Sequence, residues 1–347
     1  MASEAPPFWW EKPDWRARAL FPLSAAYAAV AGRRMKSARR ERIAAPVLCV
    51  GNFTVGGSGK TPVAISLCRQ ALSMGLKPGF LSRGHGGSFA EPHIVDVHHD
   101  SAKHVGDEPL LLAAHAPVAV TPDRAAGARL LIDKHGCDFL IMDDGFQSGR
   151  IHIDFALIVV DARYGLGNGH VIPGGPLRAR VADQLPFADA LLRMGDGTEA
   201  DAVVRQAARA GKPIFAARTQ PRIDDGIAGG RFLAFAGIGH PDKFFRSVEE
   251  AGGTVMQRRS FPDHHFYAQD ELSDLAADAE KEGLGLITTA KDAVRLAQEP
   301  LPEGFREKLD VLEIETVFDL ENTPERIVNE TREAWRRRRL ANPGTGS

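Results

Sequence analysis

Cysteine is scarce in this chain of 347 residues, which contains three. Cys49, Cys68 and Cys137 lie far apart, within apolar or helical stretches. Widely spaced thiols in odd number provide neither a disulfide framework nor the paired spacing of a structural zinc site. The sequence is therefore typical of a protein that stays in a reducing compartment, and we expect it on the cytoplasmic side of any membrane.

An excess of charge of one sign is also missing, because 43 Lys and Arg residues nearly balance 45 Asp and Glu residues. Outside the N-terminal region, the Lys and Arg clusters lack the interleaved aromatic residues that stack on bases, so we do not expect nucleic acid as a partner. No feature indicates an obligate protein partner. Hydrophobic residues make up 44% of the chain, which is enough for one large or two medium globular domains.

A long apolar run is absent too, since a spanning helix needs about 20 residues and the apolar stretch at residues 19–32 is shorter. Trp9, Trp10 and Trp15 precede this stretch, and residues 1–45 contain nine Lys or Arg and four Asp or Glu. Tryptophan and basic residues around a short apolar helix favour the headgroup region of an anionic membrane. We predict an N-terminal amphipathic helix region over residues 1–45 that associates with a membrane surface; simple packing on the domain is the alternative.

Beyond this region, short β-type runs alternate with helical stretches, which is typical of βαβ units around a buried parallel sheet. We expect an α/β domain over residues 46–222, with a parallel sheet flanked by helices. Its predicted strands are Pro46–Val50, Gly79–Ser82, Pro117–Thr121, Phe139–Met142, Phe155–Val160, Ala190–Arg193 and Pro213–Ala217.

The alternation stops at a polar, Gly-rich passage, residues 223–231, where we predict a hinge. A second, smaller α/β domain is predicted over residues 232–320, and a C-terminal helix with a disordered tail over residues 321–347. The predicted strands of the smaller domain are Phe232–Gly237, Thr254–Arg258, Gly285–Thr289 and Val311–Thr316.

The first predicted strand, Pro46–Val50, runs into a glycine-rich loop at residues 51–61, and a helical stretch follows. Strand, glycine loop, Lys-Thr and helix in this order indicate a phosphate-binding P-loop and a P-loop NTPase-like domain. Backbone N–H groups would surround phosphate oxygens, Lys60 would supply positive charge, and the Thr61 hydroxyl would ligate Mg²⁺. Thr54 stands where the strict pattern has glycine. The predicted nucleotide-binding residues are Thr54, Gly56, Gly57, Ser58, Gly59, Lys60 and Thr61.

A second strand, Phe139–Met142, ends in Asp143 and Asp144. Acids at the end of an apolar strand are the usual partner of a P-loop, where a carboxylate holds Mg²⁺ directly or through water. Two acids followed by Gly145-Phe146-Gln147 exceed what strand termination requires. We therefore predict a metal role for both aspartates.

Two acidic segments could supply a base for an attacking hydroxyl. Asp107 and Glu108 form one, and Asp263 with His264 and His265 forms the other. An Asp–His pair drawn from both domains would be complete only when they close on each other. Taken singly, each of these residues is more often a surface or packed side chain than a base.

Taken together, these segments resemble the tetraacyldisaccharide 4'-kinase family of lipid A biosynthesis. The P-loop by itself is generic, but the ordered set is specific. The matching pieces are residues 51–62, Ser82-Arg-Gly-His-Gly-Gly87, Gly106-Asp-Glu-Pro109, Asp143-Asp-Gly-Phe-Gln147, Gly174-Gly-Pro-Leu-Arg178, Phe235-Ala-Gly-Ile-Gly239, Phe261-Pro-Asp-His264 and Thr289-Ala-Lys-Asp292.

The resemblance implies a peripheral enzyme at the cytoplasmic face of the inner membrane. It would use ATP and Mg²⁺ to phosphorylate the 4'-hydroxyl of an acylated glucosamine disaccharide 1-phosphate, a glycolipid. The family architecture, two α/β/α units joined by a short two-stranded linker, agrees with the hinge predicted above.

The resemblance also implies roles for individual residues. Asp107 would be the base, paired with His264, and Arg178 would stabilise charge on the transferring phosphoryl group. The family commonly has an acid after that arginine, whereas Ala179 follows here. The predicted metal ligands are Thr61, Asp143, Asp144 and Glu108.

Two other functions remain as alternatives. A P-loop GTPase acting as a metallochaperone would need Asn/Thr-Lys-x-Asp for guanine, whereas Lys291 and Asp292 are adjacent here and no Cys-rich relay accompanies them. A membrane-recruited regulatory ATPase would turn over ATP without modifying a lipid.

Overall fold

The computed structural model describes residues 5–56, 59–83, 91–222 and 226–341. The strands are β1 (Val47–Gly51), β2 (Pro78–Ser82), β3 (His93–Ile94), β4 (Val118–Val120), β5 (Phe139–Asp143), β6 (Phe155–Asp161), β7 (Ala190–Met194), β8 (Ile214–Pro221), β9 (Arg231–Ala236), β10 (Thr254–Ser260), β11 (Gly285–Thr289), β12 (Leu309–Leu312) and β13 (Ile314–Phe318). The α-helices are α1 (Trp15–Ala19), α2 (Phe21–Ser37), α3 (Lys60–Ser73), α4 (Ala102–Val105), α5 (Asp107–Ala113), α6 (Arg124–His135), α7 (Val181–Gln184), α8 (Asp201–Arg209), α9 (Pro241–Glu250), α10 (Gln269–Glu282), α11 (Ala290–Leu296) and α12 (Thr323–Ala341). Short 3-10 helices lie at Pro7–Trp9, Leu185–Phe187 and Arg306–Lys308.

The larger sheet has nine strands within the described residues. Its parallel part runs in the order β8-β7-β6-β1-β5-β2-β4, and β13 and β3 add antiparallel at the two edges. Apolar cores pack on both faces, and every residue of β1 is buried. Coverage on both faces explains why the predicted strands are nearly continuous apolar runs. The predicted α/β fold with a parallel sheet flanked by helices is confirmed.

The smaller sheet consists of four parallel strands in the order β10-β9-β11-β12. Phe244, Phe245 and Val248 of α9 pack on one of its faces. Leu272 and Leu275 of α10 belong to the core on the other face. This unit therefore has its own apolar core, as the sequence predicted for a second α/β unit.

The prediction of Val311–Thr316 as a single strand of the smaller domain is wrong. The structure has two strands there: β12 joins the smaller sheet beside β11, and β13 joins the larger sheet beside β8. Residues 314–318 thus belong to the larger sheet, although the predicted boundary of the smaller domain was residue 320. An apolar run does not indicate which sheet it joins, because its pairing partners are distant in sequence.

The predicted hinge over residues 223–231 lies partly outside the described residues, which exclude 223–225. Its described part is a turn at residues 226–229, followed by β9. β8 and β13 pair as far as Pro221 and Ile314, so two adjacent extended segments join the domains.

The N-terminal helices pack one face on the larger domain and leave the other exposed. Ser24, Ala28, Gly32 and Met35 form the buried stripe of α2. Trp9 and Trp10 are half-buried rather than free, since Trp9 Nε1 donates to the Pro173 carbonyl (3.0 Å) and the Trp10 ring contacts Tyr164 edge-on. The exposed large apolar side chains of this region are Trp15, Phe21, Leu23, Tyr27 and Val30. Within the described residues, no helix combines the length and apolar content that a membrane span requires.

The C-terminal helix α12 packs on the larger domain beside α3, β1 and β6. Arg338 near its end pairs with the buried Asp154 through Nε (2.7 Å). The predicted disordered tail begins after this helix, and residues 342–347 lie outside the described residues.

Candidate active site

Two sequence motifs meet at the carboxyl edge of the larger sheet. β1 and β5 are adjacent parallel strands, with Val50 opposite Asp143. The loop after β1 and the acids that end β5 therefore lie side by side. In open α/β sheets this edge is the usual position of a binding site.

The loop after β1 has two glycines with positive φ in its described part. Gly56 and Gly59 have φ of +96° and +78°, which favours glycine, and α3 begins directly after Gly59. Thr54 is buried, and its carbonyl accepts a hydrogen bond from Arg178 Nε (3.0 Å). Gly57 and Ser58, also predicted to bind nucleotide, lie outside the described residues.

Lys60 and Thr61 open α3 and face the acids. Lys60 is largely buried, and its Nζ lies 3.4 Å from the Gly56 carbonyl oxygen and 3.8 Å from Asp144 Oδ2. The Thr61 hydroxyl donates to Asp143 Oδ2 (2.9 Å). The structure thus brings the predicted phosphate-binding lysine, the hydroxyl and both acids into one cluster.

Asp143 has an unused buried oxygen. Its Oδ1 is buried without a hydrogen-bond partner within the described residues. Burial raises the pKa of Asp143 to about 6, with the neighbouring Asp144 charge adding to it, while Lys60 and Thr61 act in the opposite direction. A buried carboxylate oxygen beside a hydroxyl is the kind of ligand that Mg²⁺ takes.

Asp144 faces Arg178 rather than open space. Nη1 and Nη2 of Arg178 donate to Oδ1 and Oδ2 of Asp144, each at 2.7 Å. Asp144 has φ of +53°, a backbone form uncommon outside glycine. Both carboxylate oxygens of Asp144 are therefore held by an arginine in this arrangement.

The position after Arg178, where the family commonly has an acid, is the fully buried Ala179. The amide of Gln184 donates to the Ala179 carbonyl (2.7 Å), and its Oε1 accepts from Gln147 Nε2 (2.8 Å). Gln147 Oε1 in turn accepts from Arg178 Nη1 (3.3 Å). The amides of Gln147 and Gln184 therefore add to the support that Arg178 receives from Asp144.

Asp107 and His264 meet across the two domains. Asp107 is in the first turn of α5, and its Oδ2 accepts a hydrogen bond from His264 Nδ1 (2.9 Å). The Asp107 side chain is 4% exposed and that of His264 is 46% exposed. The hydrogen bond raises the pKa of His264 above its ordinary value, although burial opposes it. The pairing expected only on domain closure is thus present in this structure.

The neighbouring acid, Glu108, forms an ion pair that the sequence did not indicate. Its Oε1 lies 2.5 Å from Lys291 Nζ, on α11 of the smaller domain. This ion pair places Glu108 in the contact between domains, and its role as a metal ligand stays a prediction. Within the described part of the chain, no three His, Cys, Asp or Glu side chains converge as a metal site. Thr61 and Asp143, joined by a hydrogen bond, form a pair that fits Mg²⁺, and Asp144 and Glu108 stay predicted ligands.

Sequence reasoning missed the helix α11 and its Arg295. Thr289 caps this helix by accepting from the Asp292 N–H (3.1 Å), and Arg295 donates to Asp107 Oδ2 through Nε (2.9 Å). The capping pattern Thr-x-x-Asp was a usable signal for the helix. Nothing in the local sequence indicated that Lys291 and Arg295, four residues apart, would face the consecutive acids of α5.

Most of the chain is similar to known proteins. Residues 16–332 match the family described as tetraacyldisaccharide-1-P 4'-kinase. A tetraacyldisaccharide 4'-kinase of Mesorhizobium japonicum is 74% identical over 340 residues, covering 98% of this chain and 99% of that protein. A tetraacyldisaccharide 4'-kinase of Chelativorans sp. is 55% identical over the same shares of the two chains.

Among solved structures, that of LpxK from Aquifex aeolicus in complex with ATP has a TM-score of 0.70 and 24% sequence identity. The match covers 91% of this chain and 99% of that chain, and it supports the fold. The resemblance drawn from the ordered motifs is confirmed by the family match and by the identities with relatives over nearly the whole length. The chain belongs to the tetraacyldisaccharide-1-P 4'-kinase family.

Proposed function

We propose that this chain transfers the γ-phosphate of ATP to the 4'-hydroxyl of an acylated glucosamine disaccharide 1-phosphate, with Asp107 as the base. Membership of the family makes the chain a kinase of lipid A biosynthesis. The observation that carries the nucleotide part is the hydrogen bond from Thr61 to Asp143 (2.9 Å), beside the buried Lys60, at the end of two adjacent parallel strands. Hydroxyl, lysine and acid in this arrangement are what a nucleotide phosphate with its cation requires.

Thr61 and Asp143 would hold Mg²⁺, and the unpaired Oδ1 of Asp143 supports this assignment. When bound, the cation neutralises charge on the phosphate oxygens of ATP. Asp144 keeps Arg178 next to Lys60 through its two hydrogen bonds, so two positive side chains face the phosphates. Both can stabilise the charge that spreads over the transferring group.

Asp107 supplies the proton acceptor in this mechanism. Its Oδ2 is engaged by His264 and Arg295, and within the described residues no group donates a hydrogen bond to Oδ1. The hydroxyl oxygen of the acceptor forms a bond to the γ-phosphorus, and the bond from that phosphorus to the bridging oxygen breaks, leaving its electron pair on ADP. The hydroxyl proton goes to Asp107 Oδ1.

Electrostatics keep this base ionised. Burial alone would raise the pKa of Asp107, but hydrogen bonds from His264 and Arg295 outweigh it and lower the pKa to about 2. The carboxylate is therefore charged at neutral pH, as an acceptor of the hydroxyl proton must be.

The GTPase alternative is weakened by the surroundings of its candidate guanine-reading residues. Lys291 pairs with Glu108 (2.5 Å), and Asp292 is fully buried and accepts from Tyr267 Oη (2.8 Å). Asp292 is therefore not accessible to a base, and Lys291 is held by an ion pair. We therefore favour ATP as the donor.

The exposed stripe of α2 supports peripheral attachment at the cytoplasmic face of the inner membrane. Leu23, Tyr27 and Val30 are 62%, 45% and 68% exposed, and they form a stripe of α2 separate from its buried stripe. Arg33 and Arg34 follow them. An apolar stripe ending in basic residues fits an interface of lipid headgroups and acyl chains.

Incubation with γ-labelled ATP and a lipid A disaccharide 1-phosphate precursor tests the proposal. We expect label on the 4'-carbon oxygen of the glycolipid and a clear preference for ATP over GTP. Hydrolysis of ATP with no label in the lipid would instead favour the regulatory ATPase, and GTP selectivity would favour the metallochaperone.

A further inference from the structure

Arg295 is a buried arginine at the contact between the two domains. Its side chain is 1% exposed, and it lies on α11 of the smaller domain. It donates to Oδ2 of Asp107, on α5 of the larger domain, through Nε (2.9 Å) and through Nη2. One guanidinium thus donates two hydrogen bonds to the same carboxylate oxygen, which also accepts one from His264.

Arg295 is itself held from two directions. Its Nη1 donates to the Gly237 carbonyl (2.7 Å) and to Asp292 Oδ1 (2.8 Å). Asp292 is fully buried, and its Oδ1 also accepts from Tyr267 Oη (2.8 Å) and from the Gly237 N–H (3.1 Å). Gly237 in the loop after β9 and Tyr267 before α10 therefore help to fix the orientation of the guanidinium that contacts Asp107.

The direction of these bonds determines which oxygen of Asp107 is available. His264 and Arg295 both engage Oδ2, and within the described residues no donor takes Oδ1. A carboxylate anchored by one oxygen to a rigid guanidinium cannot rotate freely. The free oxygen thus keeps one orientation, which is what a base needs to meet its substrate hydroxyl.

We propose that Arg295 is a positioning residue for phosphoryl transfer: by holding Oδ2 of Asp107 from the smaller domain, it keeps Oδ1 directed toward the acceptor hydroxyl. This inference rests on the proposed role of Asp107 as the base. Arg295 touches no reacting atom in this mechanism. It also makes the base geometry depend on docking of the smaller domain, since its anchors Asp292 and Gly237 belong to that domain.

Steady-state kinetics of Arg295→Met and Arg295→Lys in the full chain test this inference. We expect Arg295→Met to lower kcat by about 10- to 100-fold, because small misplacement of a reacting group costs about that much. KM for ATP should change less than about threefold, since the P-loop is untouched. Arg295→Lys keeps the charge but not the fork of donors, so its kcat should lie between those of Arg295→Met and the wild type.

A largely buried arginine elsewhere in the chain provides the matched control for loss of folding. Arg338 pairs with the buried Asp154 and is 11% exposed, but it lies on α12, away from Asp107. We expect Arg338→Gln to lower the melting temperature and leave kcat unchanged. The inference is overturned if Arg295→Met keeps wild-type kcat. It is also overturned if Arg295→Met lowers kcat and raises KM for ATP to similar extents while Arg295→Lys has a kcat no higher than that of Arg295→Met.

The double variant Asp107→Ala/Arg295→Met separates this inference from the proposed function. If Arg295 acts through Asp107, the double variant should be no slower than Asp107→Ala alone. Additive losses would overturn the positioning role. Wild-type kcat in Asp107→Ala would sink the proposed base and this inference with it, whereas an inactive Asp107→Ala beside a fully active Arg295→Met would sink this inference alone.

Discussion

Arg178 and Asp144 form a two-bond ion pair, with both hydrogen bonds at 2.7 Å, beside the P-loop lysine. The pair keeps the guanidinium at the edge of the sheet where the phosphates of ATP would lie. An arginine positioned in this way stabilises charge that develops during phosphoryl transfer.

We therefore expect Arg178→Ala to lower kcat by about 10²- to 10³-fold, the usual effect of losing one such stabilising group. Arg178→Lys should recover little, because an ammonium cannot make both bonds to Asp144. Arg180→Ala, which removes an exposed arginine two residues away, is the control and should retain wild-type kcat. Steady-state kinetics measure kcat for these variants. Equal kcat in Arg178→Ala and Arg180→Ala would refute a role for Arg178 in stabilising the transferring group.

Asp143 should set the magnesium requirement. Its Oδ1 is unpaired and its Oδ2 is bound by Thr61, so Asp143→Asn removes the charge that fits a cation. We expect the magnesium concentration for half-maximal rate at saturating ATP to rise by about tenfold or more. Asp138→Asn changes the exposed acid just before the amino end of the same strand and should leave the magnesium curve in place. An unchanged curve for Asp143→Asn would remove Asp143 as a ligand.

The pairing with Asp107 should be visible in the titration of His264. The hydrogen bond to Asp107 raises the pKa of His264, while burial opposes it. Since the folded pKa lies above the unfolded value of about 6.5, this pair contributes stability that is fully present below that pH and lost as pH rises through the folded pKa. Histidine NMR should give a raised pKa for His264 in the wild type and a lower one in Asp107→Asn. Identical titration curves would mean that the pair is not formed in solution.

Membrane recovery should depend on the exposed stripe of α2. We expect the triple variant Leu23→Ser/Tyr27→Ser/Val30→Ser to bind anionic phospholipid vesicles at least about tenfold more weakly, because each large apolar side chain contributes roughly 1.5–3 kcal/mol when buried. A triple variant at exposed apolar residues elsewhere, Leu72→Ser/Met256→Ser/Leu320→Ser, provides the control. Cosedimentation measures both, and equal binding by the two variants would contradict docking through α2.

The sequence could predict much of the fold because its signals are local. The strand before the P-loop, the glycines with positive φ and the start of α3 at Lys60 all follow from neighbouring residues. The strand ending in Asp143 is equally local. The division of residues 309–318 between two sheets was missed, since the local sequence of β12 and β13 does not indicate which strand each one pairs with.

The residues of the site also differ in whether local sequence or long-range contacts determine them. By itself, the sequence determined the phosphate loop, its lysine and threonine, and the acids after β5, because each depends on residues a few positions apart. Only the tertiary structure decided that Asp107 meets His264 and Arg295, which are 157 and 188 positions away. It also decided that Glu108 serves an ion pair between domains. Contacts at such separations arise from how two cores pack against each other, and no local pattern of side chains encodes that packing.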